Sequence, residues 1–201
     1  MFYIGVDLGK KRDPATVAIV EKQEADRVWM RPVYTELLVR HLERLPLGTP
    51  YPAVVERVQS MVTRLAGKCS VTVDATSMGE PVMDLMRNAG MGCELTAVTM
   101  TGGERERFDG RGWNVPKQNL ISGVQVLLEQ GELKIARGMR EAGRLVKELT
   151  DMRAVVRARG RLRLGADGYG EHDDLVIAVA LACWRATRKK NGYGERRLPG
   201  I

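Results

Sequence analysis

Four aspartates are placed to do chemistry: Asp7, Asp74 and the adjacent pair Asp173 and Asp174. Asp7 lies in Tyr3–Gly9 (YIGVDLG), where alternation puts Ile4, Val6 and Leu8 on one face and Gly5, Asp7 and Gly9 on the other. The two glycines leave open space around the carboxylate, as close approach of a ligand requires. Asp74 falls near the end of a β-prone run, Ser70–Thr76 (SVTVDAT). Asp173 and Asp174 follow Glu171 and His172 and open an uncharged run, Leu175–Trp184 (LVIAVALACW). Grouped carboxylates repel one another and neutralise unless a cation sits between them. Hard oxygen ligands select Mg2+ or Mn2+, and two such ions stabilise both oxygens of an in-line phosphoryl displacement. Phosphodiester hydrolysis is the chemistry this set suits. Taken singly, each member has a plainer role: a polar strand end at Asp7, a turn former at Asp74, helix caps at Asp173 and Asp174. His172 suits local hydrogen bonding better than ligation, since magnesium prefers oxygen.

The elements that must position these groups follow from periodicity. Tyr3–Gly9 and Ala15–Glu21 (ATVAIVE) read as hairpin partners joined by the charged turn Lys10–Pro14, and a third β-prone piece spans Val28–Tyr34 within Asp26–Leu38. The chain therefore opens with a three-stranded meander. A turn-rich linker, Pro46–Pro52, precedes helical spacing at Val54 or Val55, Val58, Met61, Val62 and Leu65, closed by Gly67. The strand Ser70–Thr76, a helix from Gly79 to Asn88 with Pro81 in its first turn, and the strand Cys93–Thr99 continue in a strand–helix–strand rhythm that argues parallel pairing. Met100–Val115 has four glycines and no periodicity and reads as a long surface loop. Pro116 starts a helix with Leu120, Val124, Leu127 and Leu128 inward; Glu132–Ala136 follows as a short edge strand. Met139–Val156 reads as a second amphipathic helix, with Leu145, Leu149, Met152 and Val156 inward. The run from Leu175 is too short to span a bilayer and reads as a buried helix whose Ala178, Ala180 and Ala182 allow close approach. In an open α/β sheet ligands gather beyond the strand ends, so the aspartates converge if their strands are neighbours.

Composition narrows the class. The chain has 201 residues, enough for one domain with a sizeable core. Its net charge of +7 favours a polyanionic partner, nucleic acid before an acidic membrane surface. Three cysteines without a CxxC pair and two histidines, His41 and His172, do not make a zinc site of the usual kind. No signal peptide or transmembrane segment is recognisable, so a cytosolic protein with reduced thiols is expected. Residues 1–188 are expected to form the domain and residues 189–201 a frayed, flexible tail.

GVDLG, DPATVAIV, VTVDATSMGEPVMDLM, VPKQNLISGVQVLLEQGELKIA and EHDDLVIAVALACW, in this order, resemble the nuclease domain of phage terminase large subunits over roughly Phe2–Arg188. The resemblance implies an RNase H-like α/β fold, a mixed sheet of an antiparallel meander followed by parallel strands, flanked by helices. It implies a metal-dependent endonuclease that cuts concatemeric phage DNA during packaging in the host cytoplasm. Carried over by motif, the catalytic metal ligands are Asp7, Asp74 and Asp174, with Asp173 an additional or alternative ligand for Mg2+ or Mn2+. Double-stranded DNA is the implied substrate, with a packaging ATPase and portal or small terminase proteins as implied partners. Lys117 is a phosphate contact by resemblance. Arg105, Arg107 and Arg111, with Arg157, Arg159, Arg161 and Arg163, are candidates to track a DNA backbone. Trp113 suits packing as well as base stacking.

The sequence departs from a full terminase subunit in one respect. No G-x-x-x-x-G-K-[ST] stretch is present, so the expectation is an excised domain or a free-standing, prophage-encoded homologue to which translocation is not ascribed. GVDLG followed by a hairpin also occurs in actin-like ATPases and sugar kinases, but a second lobe and second phosphate loop are lacking. A Holliday-junction resolvase of the same fold would share the carboxylates and the basic surface. A DNA-binding packaging module with an inactive site is the remaining alternative.

Overall fold

The structure is a computed structural model that describes residues 1–9, 13–24, 35–76, 79–156, 162–165 and 173–188. It opens with the expected meander: β1 (Phe2–Asp7), β2 (Thr16–Glu24) and β3 (Thr35–Arg44), each antiparallel to the next. The third strand begins at Thr35; residues 28–34, where it was expected, lie outside the described residues. Then come α1 (Tyr51–Arg64), β4 (Cys69–Asp74), α2 (Gly79–Asn88) and β5 (Glu94–Thr101). β4 runs parallel to β1 and β5 parallel to β4, as two strand–helix–strand crossovers demand. The chain continues through β6 (Arg107–Phe108), β7 (Trp113–Pro116), α3 (Lys117–Glu129), β8 (Leu133–Ile135) and α4 (Ala142–Asp151). It is completed by β9 (Arg153–Val156), β10 (Leu162–Gly165) and α5 (Asp174–Thr187). Eight strands form one mixed sheet in the order β6-β7-β5-β4-β1-β2-β3-β8, and β9 and β10 pair as a separate antiparallel ribbon. This is an RNase H-like α/β fold.

Side-chain alternation distributes two cores to the two faces of the sheet. Ile4, Val6, Val17 and Val71 pack with Val54, Val58 and Met61 of α1 and Val82 and Met86 of α2. Tyr3, Ala18, Val20 and Leu37 face the other way, towards Leu120 and Val124 of α3, Leu145 of α4 and nearly all of α5. α5 is buried from Asp174 through Cys183, which accounts for an apolar run without a polar face. Among the described residues no helix is long and apolar enough to cross a membrane.

Three stretches differ from the sequence expectation. Met100–Val115 is not a loop throughout: β5 extends to Thr101, and β6 and β7 form a hairpin whose second strand joins the sheet beside β5. β7 has too few residues for a local period, and pairing supplies what propensity does not. The helix expected over Met139–Val156 ends at Asp151, because Met152 adopts extended backbone (φ −64°, ψ 121°) and Arg153–Val156 pairs with β10. Two adjacent β-branched valines, Val155 and Val156, suit the strand better than the helix. α1 starts at Tyr51 with Pro52 in its first turn, so part of the expected linker is helix.

Candidate metal centre

At one end of the sheet, β1, β4 and α5 bring their aspartates to a common cavity of about 130 Å³. Asp7, Asp74, Asp173 and Asp174 line it, together with Asp13, Lys117 and the apolar residues Leu8, Met100 and Ile177. Parallel pairing of β1 with β4 sets Asp7 and Asp74 on adjacent strands, with Val6 opposite Val73. Gly5 sets the depth of α5. A Cβ at Gly5 would meet the Ala178 carbonyl oxygen at 1.9 Å and the Ala182 nitrogen at 2.9 Å. The helix therefore lies directly on β1, which draws its acidic first turn towards Asp7. A Cβ at Gly9 would meet the Asp13 carbonyl oxygen at 2.1 Å. The space left by these two glycines is thus filled by the protein's own backbone, not kept open for a ligand.

Each carboxylate is held differently. Asp74 is 9% exposed, and its Oδ1 accepts from the Thr76 amide at 2.9 Å and from the Thr76 hydroxyl. The same hydroxyl accepts from the Met100 amide at 2.9 Å, so the ends of β4 and β5 are pinned together. The turn expected at Asp74 exists, and it fixes the carboxylate. Asp173 occupies the cap position of α5 but makes no side-chain cap bond; its Oδ2 accepts from Lys117 Nζ at 2.5 Å. Asp174 is 7% exposed, with Oδ2 3.9 Å from Nη2 of Arg44. Loss of water pushes the Asp7 carboxyl well above the ordinary 3.8, reinforced by Asp74, then Asp174, then Asp173, and opposed by Lys117. A cation among these groups would reverse that penalty. The donor set is oxygen alone and suits Mg2+ or Mn2+. No three ligand side chains among the described residues form a group ready to hold an ion.

The Terminase RNaseH-like domain family matches residues 50–185, an interval that includes Asp74, Lys117, Asp173 and Asp174. The chain belongs to this family. Its fold matches the large terminase nuclease of thermophilic phage G20c, solved with bound magnesium, with a TM-score of 0.67 and 21% identity over 92% of this chain and 81% of that one. A mutant nuclease domain of the large terminase subunit of bacterial virus Sf6, solved with manganese and beta-thujaplicinol, matches at a TM-score of 0.60 and 15% identity, over 90% and 87%. The HK97 bacteriophage large terminase matches at 0.53 and 14%, over 90% of this chain but 38% of that one. Comparison with curated proteins gives no match.

Among the described residues, the other expected backbone contacts of this terminase fold lie on or beside β6 and on β10. Arg105 and Arg107 are exposed before and on β6, and Arg111 is paired with Glu80 at 2.9 Å. Arg163 lies on β10; Arg157, Arg159, Arg161, Glu171, His172 and residues 189–201 lie outside the described residues. Trp113 packs: its ring meets Trp184 edge-on at 6.0 Å and lies 3.8 Å from the Arg188 guanidinium. Cys69 and Cys183 are buried free thiols.

Three residues were not anticipated. Asp13 lines the cavity, with its carbonyl oxygen lying where a Cβ at Gly9 would fall. Glu148 and Arg44 meet beside Asp174. Burial pushes the Glu148 carboxyl up to about 7, while Arg44 and the Val176 amide hold it back and Asp174 adds to the rise. Glu148 was legible as an anomaly: Leu145, Glu148 and Leu149 share one helical face, so an acid interrupts the apolar arc of α4.

Proposed function

We propose that this terminase-family chain is a Mg2+- or Mn2+-dependent endonuclease that hydrolyses phosphodiester bonds of double-stranded DNA. The observation that carries the proposal is the cavity where Asp7, Asp74, Asp173 and Asp174 meet on three different elements. Asp7, Asp74 and Asp174 are the proposed ligands, with Asp173 added when Lys117 releases it. Two divalent ions held there would supply a nucleophilic water and neutralise charge on the phosphate. Asp74, fixed by Thr76, provides a ligand that needs no rearrangement. Lys117 sits where it can leave Asp173 for a backbone phosphate, keeping one positive charge beside the reacting group. Arg105 and Arg107, with the arginines of 157–163, are proposed to track the duplex backbone. Cutting concatemeric DNA during phage packaging, in the host cytoplasm and beside a separate motor, is the biological role proposed.

The test is incubation of supercoiled plasmid and of a synthetic four-way junction with the protein in Mg2+, Mn2+ or EDTA. Nicked and linear plasmid formed only with metal is expected. Symmetric cutting confined to the junction would move the assignment to a resolvase. No cutting of either by folded protein would overturn the enzymatic assignment and leave a DNA-binding module.

A further inference from the structure

The first turn of α5 lacks the cap its sequence offers. A helix begins with four backbone N–H groups that have no partner within the helix, and an aspartate at the cap position ordinarily takes one or two. Asp173 holds that position, yet its carboxylate is turned to Lys117. Glu148 stands in for it from α4. Its Oε2 accepts from the Leu175 amide at 3.0 Å and the Val176 amide at 3.2 Å, the two residues that follow Asp174. Its Oε1 accepts from Nη2 of Arg44, and that same Nη2 lies 3.9 Å from Asp174 Oδ2. Arg44 ends β3 opposite Thr16, and Thr16 lies opposite Asp7, so the pair sits at the Asp7 end of the sheet.

Stability alone is a poor explanation for this arrangement. Glu148 is 9% exposed, and Arg44 buries its Nε without a hydrogen bond. Buried ion pairs seldom outperform apolar packing, and an unsatisfied donor adds a cost. We infer that Glu148 is a positioning residue: held by Arg44, it caps α5 in place of Asp173, which frees Asp173 for the cavity, and the pair fixes the direction of Asp174. This rests on the proposed metal-dependent nuclease function. Neither residue touches substrate; both act through the two aspartates, as outer partners do at metal centres.

Four proteins test it: wild type, Glu148→Gln, Arg44→Gln and Asp7→Asn. Glutamine keeps the shape of Glu148 but turns an NH2 group against Arg44. Mn2+ binding without DNA is measured by calorimetry, and plasmid cutting is measured against both Mn2+ and plasmid concentration. Glu148→Gln is expected to bind Mn2+ roughly ten- to a hundred-fold more weakly. Its rate should recover at high Mn2+ with an unchanged KM for plasmid, a pattern that general loss of structure would not give. Should Glu148→Gln fail to fold, Arg44→Gln leaves Glu148 on the α5 amides and is expected to show the same weakening. Wild-type Mn2+ affinity in the folded variant, or a lost rate that metal does not restore, overturns the positioning role. If Asp7→Asn alone abolishes Mn2+ binding, the positioning role fails while the nuclease assignment stands. If wild type shows no Mn2+ binding that Asp7→Asn removes, both fall together.

Discussion

At Asp7, loss of water and three neighbouring carboxylates all push the group towards its neutral form. A carboxyl raised in the folded state contributes stability below its unfolded value, here 3.8, and loses that contribution as pH rises through the folded pKa. Metal-free wild type at neutral pH therefore carries a penalty that Asp7→Asn removes. Thermal melts in EDTA should show Asp7→Asn melting above wild type at neutral pH, with the gap closing below 3.8. Added Mn2+ should raise the wild-type midpoint and leave that of the variant unchanged. Equal midpoints for the two proteins throughout would contradict the electrostatic account. Asp7, Asp74 and the acidic pair were visible in the sequence because each interrupts, ends or opens an apolar run. Which of Asp173 and Asp174 faces which partner was not visible, since that is decided by Lys117, Arg44 and Glu148, supplied by distant elements.

At the scale of elements, the site depends on how closely α5 lies on β1. Gly5→Ala places a methyl 1.9 Å from the Ala178 carbonyl oxygen, a contact with backbone that no side-chain rotation relieves. Urea unfolding should show a loss of about 1–3 kcal/mol or more, the usual range for overpacking. The remaining folded protein should cut plasmid slowly, because Asp174 moves with the helix. An ordinary core truncation behaves differently. Leu181→Ala, at a fully buried position of α5, should cost about 2–5 kcal/mol while the folded fraction retains its rate. The long elements were legible because period two persists in β1 and β4 and period 3.6 in α1 and α3, while α5 shows as one uncharged apolar run. β7 and β9 were not. β7 follows the glycine-containing turn of its hairpin with β6 and is recruited by β5, while Met152 and Val156 continue a helical spacing past the point where the backbone extends.

For the whole molecule, the net charge of +7 fits a nucleic-acid partner, but charge alone does not say where the partner lies. Binding to DNA should weaken steeply with salt, with a log–log slope of roughly −0.9 per phosphate neutralised. Replacing both Arg105 and Arg107 by alanine should reduce that slope by about two if each contacts a phosphate. An unchanged slope would remove the β6 edge from the DNA path. The expected sheet with its meander and parallel extension was legible as a whole, because strand–helix alternation restricts the topology to few choices. Convergence of the acidic groups was legible only conditionally, through the requirement that β1 and β4 be neighbours, which they are. The proposed activity is the cutting of DNA at this convergence. It is tested most directly by comparing Mn2+-dependent plasmid linearisation by wild type with that by Asp7→Asn, Asp74→Asn and Asp174→Asn, each shown to be folded. Metal-dependent cutting by wild type, lowered at least a hundredfold (~3 kcal/mol of activation free energy) in every variant, is the expected result. Cutting by Asp7→Asn or Asp74→Asn at the wild-type rate would contradict it.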